Sequence, residues 1–237
     1  ADVGNSITVN GATLYRFHGG GIYTSGGTNT LTNNSLSGNS VGSLGGGIFT
    51  SGGTNTLTNN SLSGNTAGGG GGISTLGGTN TLTNNSLSGN TAGNGGGIFT
   101  QNGTNTLTNN IIWGNSSGIE NSGSSLTVTY SIVQGGFTGE GNLDVDPQFV
   151  NQPAQGLGTS GDLRLMANSP AMDAGTSSGA PATDLDGRSR PSGAGYDMGA
   201  FEFGIPCPGG TIFYVNDAAG GGNNDGTSWT DAFTSLQ

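Results

Sequence analysis

Lysine is absent from this chain of 237 residues, and four arginines face 14 acids for a net charge of −10. Nucleic-acid binding calls for basic patches, so no such partner is expected. The single cysteine, Cys207, excludes an internal disulfide and reads as a spare thiol, with a cross-link between two chains as the alternative. The single histidine, His18, leaves no Ser/His/Asp or Cys/His constellation to assemble. No apolar run reaches the length of a membrane span, so no transmembrane segment is expected. The chain opens on Ala1 with no signal peptide, which reads as a processed or excised chain. Between Val3 and Ile119 there is no acid, and the only basic groups are Arg16 and His18. Only 30% of residues are hydrophobic, lean for a globular core but sufficient for a solenoid, which needs a thin apolar line.

Glycine is what the chain has in abundance, with 51 residues, and it recurs in order. Four clear repeats fill residues 19–118. Each reads close to GGGIFTSGGTNTLTNNSLSGN, and Ile22, Ile48, Ile73 and Ile98 recur every 25 or 26 residues. Leu31, Leu57, Leu82 and Leu107 keep the same spacing, as do Leu36, Leu62, Leu87 and Ile112. A fixed period of this size marks a solenoid whose repeats bury their apolar faces by stacking. Apolar residues at helical spacing are missing, and Thr, Asn, Ser and Gly are poor helix formers. The alternation in Thr28-Asn29-Thr30-Leu31-Thr32 instead predicts a strand with Leu31 inward and the threonines outward. Ile22 and Leu36 centre two further short strands. Corners at Gly26-Gly27, Asn33-Asn34 and Gly38-Asn39 suit tight or left-handed backbone. Three strands per coil, stacked about 4.8 Å apart, make an all-β parallel β-helix.

The period also aligns side chains. Asn34, Asn60, Asn85 and Asn110 form one expected amide ladder, and Asn39, Asn65, Asn90 and Asn115 a second. The aromatic column Tyr23, Phe49, Phe99, interrupted by Ser74, reads as packing. Asn33, Asn59, Asn84 and Asn115 each begin an N-x-S sequence and are candidate glycosylation sites. Residues 1–18 read as an incomplete first coil with strands at Ser6-Ile7-Thr8-Val9 and Thr13-Leu14-Tyr15. Residues 119–137 read as a degenerate last coil, so the β-helix is expected over 1–139.

The GGGI[YF] element followed by TNN and GN resembles right-handed β-helix repeats of the polymorphic outer-membrane-protein type. The resemblance implies a bacterial surface or secreted protein. From residue 140 the text changes: NLDVDPQFV, GDLRL, NSPAMDAG, ATDLDGRSRP and GYDMGAFE follow one another. Residues 142–203 resemble the choice-of-anchor Q type of C-terminal module, which implies a cap over 140–203 and a surface context, with no catalytic residue to carry over. A linker at 204–210 leads to an extension at 211–237, with a strand at Thr211–Asn216 and then Trp229. It resembles the opening of another β-helix unit, as though the next unit begins there. Ile212, Tyr214, Val215, Trp229 and Phe233 are its expected assembly residues.

Glycan-cleaving β-helices need clustered carboxylates or cations on one sheet face, and the repeats hold none. Asp184, Asp186 and Asp197 are weak candidate Ca²⁺ ligands, with Asp144 and Asp146 nearby in kind and Arg188 and Arg190 as competing partners. The glycines belong to the repeat and make no phosphate loop. The three threonine ranks through Thr28, Thr30 and Thr32 resemble the flat arrays of ice-binding surfaces. The sequence therefore predicts a non-catalytic, secreted or cell-surface structural protein. Its expected partners are other copies of itself, bound head-to-tail through the extension. Adhesion to glycans and ice binding are the alternatives.

Overall fold

The computed structural model describes residues 6–10, 13–14, 20–156 and 161–204, the first two stretches as backbone only. Five coils wind through three sheets. Sheet 1 stacks Ile22–Ser25, Ile48–Ser51, Ile73–Leu76, Ile98–Gln101 and Ile119–Ser122. Sheet 2 stacks Thr28–Thr32, Thr54–Thr58, Thr79–Thr83, Thr104–Thr108 and Ser125–Thr129. Sheet 3 stacks Ser35–Ser37, Ser61–Ser63, Ser86–Ser88, Ile111–Ile112 and Ile132–Val133. All of these pairings are parallel and fall on equivalent residues, Leu31 on Leu57 and Leu82 on Leu107. The chain is thus a parallel β-helix.

Its core is the line of side chains predicted from the period. Ile48, Ile73, Ile98, Leu57, Leu82, Leu107, Leu62, Leu87 and Ile112 are fully buried in one cluster. Asn33, Asn59, Asn84 and Asn109 turn the corner between sheets 2 and 3 with φ between 52° and 58°, in the left-handed region that asparagine tolerates. Gly47 and Gly72 precede the sheet 1 strands for steric reasons. A Cβ on Gly72 would stand 2.7 Å from the carbonyl of Gly97 and 2.8 Å from Leu87.

Two features depart from three strands per coil. Thr66–Gly69 and Thr91–Asn94 pair as a short fourth sheet outside sheet 1. The aromatic column is buried beside it: Tyr23 and Phe49 stack at 5.0 Å, and Phe99 lies within 3.4 Å of a Cβ built on Gly69. The start of the chain is not a first coil either. Ser6–Asn10 runs antiparallel to Thr28–Thr32, and Thr13–Leu14 antiparallel to Ile22–Ser25. A parallel return needs a crossover of a dozen residues or more, and the short link from Leu14 to Ile22 permits only a reversal.

The module from 140 onward does two jobs. Residues 140–143 finish the stack, with Tyr130 N donating to Glu140 O at 2.8 Å and Val133 N to Leu143 O at 3.0 Å. The rest folds back along the outer face of sheet 3, where Phe149, Leu163, Leu165, Met198 and Phe201 pack on Ile111 and Ile132. The expected cap is therefore also a lateral splint. Among the described residues, solenoid and module form one compact unit that ends at Phe203.

Candidate functional site

Asparagine organises the interior. Asn34 donates through both its backbone N and Nδ2 to Asn60 Oδ1, at 3.0 and 2.9 Å. Asn60 repeats this to Asn85, and Asn85 to Asn110. The ladder then passes to Ser131 and Asn142, because Asn110 N donates to Ser131 Oγ and Ser131 N to Asn142 Oδ1, both at 3.0 Å. Asn39, Asn65, Asn90 and Asn115 form the same chain with 2.9 Å amide bonds. Sequence reasoning missed a third ladder, Asn29, Asn55, Asn80 and Asn105, buried on the inner face of sheet 2. Its amides bond at 2.7, 2.8 and 3.0 Å, and Thr50 and Thr75 of sheet 1 donate their hydroxyls to it. The alternation that turns Leu31 inward also turns Asn29 inward, and that was its signal. At the last rung Leu126 stands opposite Asn105, whose buried Nδ2 has no partner.

The left-handed corner asparagines dock the module. Asn59 Nδ2 donates to Thr183 O at 2.7 Å, and Asn84 Nδ2 to Asp197 O and Gly199 O at 3.1 and 3.0 Å. Asn109 Nδ2 donates to Thr176 O at 2.7 Å, and Asn109 Oδ1 accepts from Thr176 N at 2.9 Å. Three of the four candidate glycosylation sites are therefore engaged. Asn59 and Asn84 are buried under the module, and Asn115 is buried in the second ladder. A sugar on any of them requires displacing those bonds. Asn33, half-buried, accepts Asn59 Nδ2 at 3.1 Å.

Inside the module lies a buried charge cluster. Arg190 Nη1 donates to Glu202 Oε1 at 2.5 Å, and its Nη2 to Gly199 O at 2.8 Å and to Asn59 Oδ1 at 3.3 Å. Burial lowers the Arg190 pKa, while Glu202 and the neighbouring carboxylates oppose that shift. Asp184 accepts the backbone N–H of Arg188 and of Glu202, both at 2.8 Å. Asp197 accepts Asp173 N at 2.7 Å and Phe203 N at 2.5 Å. Burial pushes its carboxyl up to about 6. The candidate Ca²⁺ ligands are thus not brought together as a cation site. Asp184 and Asp197 hold backbone loops, and Asp186 is paired with Arg164. Among the described residues no three His, Cys, Asp or Glu side chains gather as a metal ion would require. The expected assembly residues Ile212, Tyr214, Val215, Trp229 and Phe233, with His18 and Cys207, lie outside the described residues.

A cleft of about 240 Å³ opens where the module meets the first two coils. Asn33, Ser35 and Ser61 form the solenoid side, and Asp162, Arg164, Asp186 and Phe201 the module side. Arg164 donates from Nε and Nη2 to the two oxygens of Asp186, both at 2.7 Å, and from Nη1 to Asp162 Oδ1 at 3.0 Å. Those bonds raise the Arg164 pKa. Its guanidinium lies 5.1 Å from the centre of the Phe201 ring. Sequence reasoning passed over Arg164 and Asp162, which only the backward fold of the module carries to the solenoid.

On the outer face of sheet 2, the rank Thr28, Thr54, Thr79, Thr104 is exposed, and the rank Thr30, Thr56, Thr81, Thr106 is half-buried to exposed. The third expected rank is not uniformly open, since Thr83 is buried near the module at Gly179.

The family described as right handed beta helix region matches residues 2–143. No curated protein and no solved structure matches the chain. A matched span that runs from the N-terminal strands through all five coils to the start of the module places this chain in the right-handed β-helix family.

Proposed function

We propose that the chain is a non-catalytic structural protein of the cell exterior, joined to copies of itself end to end in a filament or layer. The observation that carries this reading is how sheets 1 and 2 finish. At one end their last strands are Ile119–Ser122 and Ser125–Thr129. At the other they are Thr13–Leu14 and Ser6–Asn10. The same two sheets therefore end in strand edges at both ends, and an edge is a template for another chain. Unlike ends that meet make a contact that does not close, and such contacts build filaments. The likeness of the repeats to the polymorphic outer-membrane-protein type, and of residues 142–203 to the choice-of-anchor Q module, supports a bacterial surface setting.

In this reading the extension 211–237 docks at the N-terminal end of a neighbour. The first coil is already paired on sheets 1 and 2, so the extension meets the outer edges of Ser6–Asn10 and Thr13–Leu14, or the edge of Ser35–Ser37. Negative-stain electron microscopy of the chain with and without residues 205–237 tests this. Filaments that vanish with the extension are expected; single particles in both samples would overturn the proposal. The exposed threonine ranks favour one second reading, binding to an ice face, which a thermal-hysteresis measurement would detect.

A further inference from the structure

The cleft beside Arg164 brings together charged, hydroxyl, amide and aromatic groups of solenoid and module. We infer that it is a binding site for the ring of a single neutral sugar. This inference does not rest on end-to-end assembly, because the cleft lies on the side of one chain.

The chemistry of the lining sets the ligand class. Arg164 is the only cation there, and both neighbouring carboxylates engage it. An anion would find that cation taken and two carboxylates beside it. A polyol fits better: carboxylate lone pairs accept from hydroxyls, while the Ser35 and Ser61 hydroxyls and the Asn33 amide offer both donors and acceptors. Arg164 holds Asp186 bidentately, which fixes the acceptors before any ligand arrives. Half-buried Leu185, backed by the core that holds Leu163 and Phe201, gives the apolar side against which the C–H face of a ring can lie. A space of about 240 Å³ admits one ring rather than a chain. The geometry is therefore that of a site for a terminal residue of a glycan.

Ser35 is the handle for the test, because it is exposed on the solenoid rim and outside the module's core. The full chain is titrated with galactose, glucose, mannose and N-acetylglucosamine, and with glucuronate as the anionic comparison, by calorimetry and by NMR shift perturbation. At least one neutral sugar is expected to bind saturably with a Kd on the order of 1 mM, as a site this small allows. Ser35→Trp fills the mouth and is expected to weaken that binding at least tenfold while the thermal unfolding profile stays unchanged. Asp162→Asn, which keeps the shape, is the second variant and is expected to weaken it severalfold. Three outcomes would overturn the inference: no saturable sugar in the panel, binding indifferent to both variants, or glucuronate binding more tightly than every neutral sugar.

Discussion

Asn85 shows how much one side chain does in this molecule. Its Oδ1 accepts from Asn60 N and Nδ2, and its Nδ2 donates to Asn110 Oδ1 and Leu57 O. One amide thus ties three coils. Asn85→Ala takes the acceptor from Asn60 N, one of two acceptors from Asn60 Nδ2, and the amide donor from the Leu57 carbonyl, all in the buried interior. It is expected to cost about 2–5 kcal/mol in urea unfolding. Asp197 gives a pH signature. Its carboxyl, raised to about 6 by burial, holds a proton more tightly in the folded chain than in the unfolded one. Stability relative to Asp197→Asn is therefore expected to rise as pH falls through 6 towards 4, read as a difference in Tm. Both expected ladders were legible because the same residue returns at the same corner. The docking role of Asn59, Asn84 and Asn109 was not, because nothing in a repeat says which of its outer positions another segment will cover.

At the scale of the element, a strand here is short and gains its place from stacking. Sheet 3 has three residues per strand at most, and its centre is one Leu, Ile or Val per coil. The glycine before each sheet 1 strand lets that stack close. Gly72→Ala places a methyl against the Gly97 carbonyl and Leu87, and is expected to cost about 1–3 kcal/mol as overpacking. Gly77→Ala, where a Cβ meets nothing within 4 Å, carries only the cost of its left-handed backbone, φ 68°. A pair of melting curves checks the order. Sheets 1 to 3 were legible from alternation and turn residues. The antiparallel start was not, because alternation fixes which residues face inward and is silent on strand direction. The fourth sheet was also missed, since Thr66–Gly69 and Thr91–Asn94 carry no alternating apolar pattern.

At the scale of the whole molecule, the module turns a one-dimensional stack into something less divisible. A simple repeat protein loses or gains a coil at the cost of one repeat and one interface. Here Asn59, Asn84 and Asn109 of three successive coils meet Thr183, Gly199 and Thr176 of one module. Deleting residues 61–85 keeps the repeat in register but removes one docking rung. The deletion is expected to destabilise the chain more than the same deletion made without residues 144–203, as compared by hydrogen exchange of the coils. Arg190→Leu tests the same bond from the module side. It strips Glu202 of its buried cation, a change of about 3–5 kcal/mol, and is expected to expose the module's amides before those of the solenoid. Composition made the module visible, since most of the acids lie beyond residue 139. Its route back along sheet 3 depends on contacts between residues more than a hundred positions apart.

The lateral course of the module has a mechanical consequence. A pull along the axis of a bare β-helix loads its rungs in series, and the weakest rung gives way. Coils two to four carry a second load path through the module, in parallel with the rungs. Among the described residues the first coil reaches that path through the bond of Asn33 to Asn59, whereas the last coil is held by Ile132 in the module's core and by the crossing at 140–143. Under tension the molecule behaves as a stiff column with one compliant end, at the first coil.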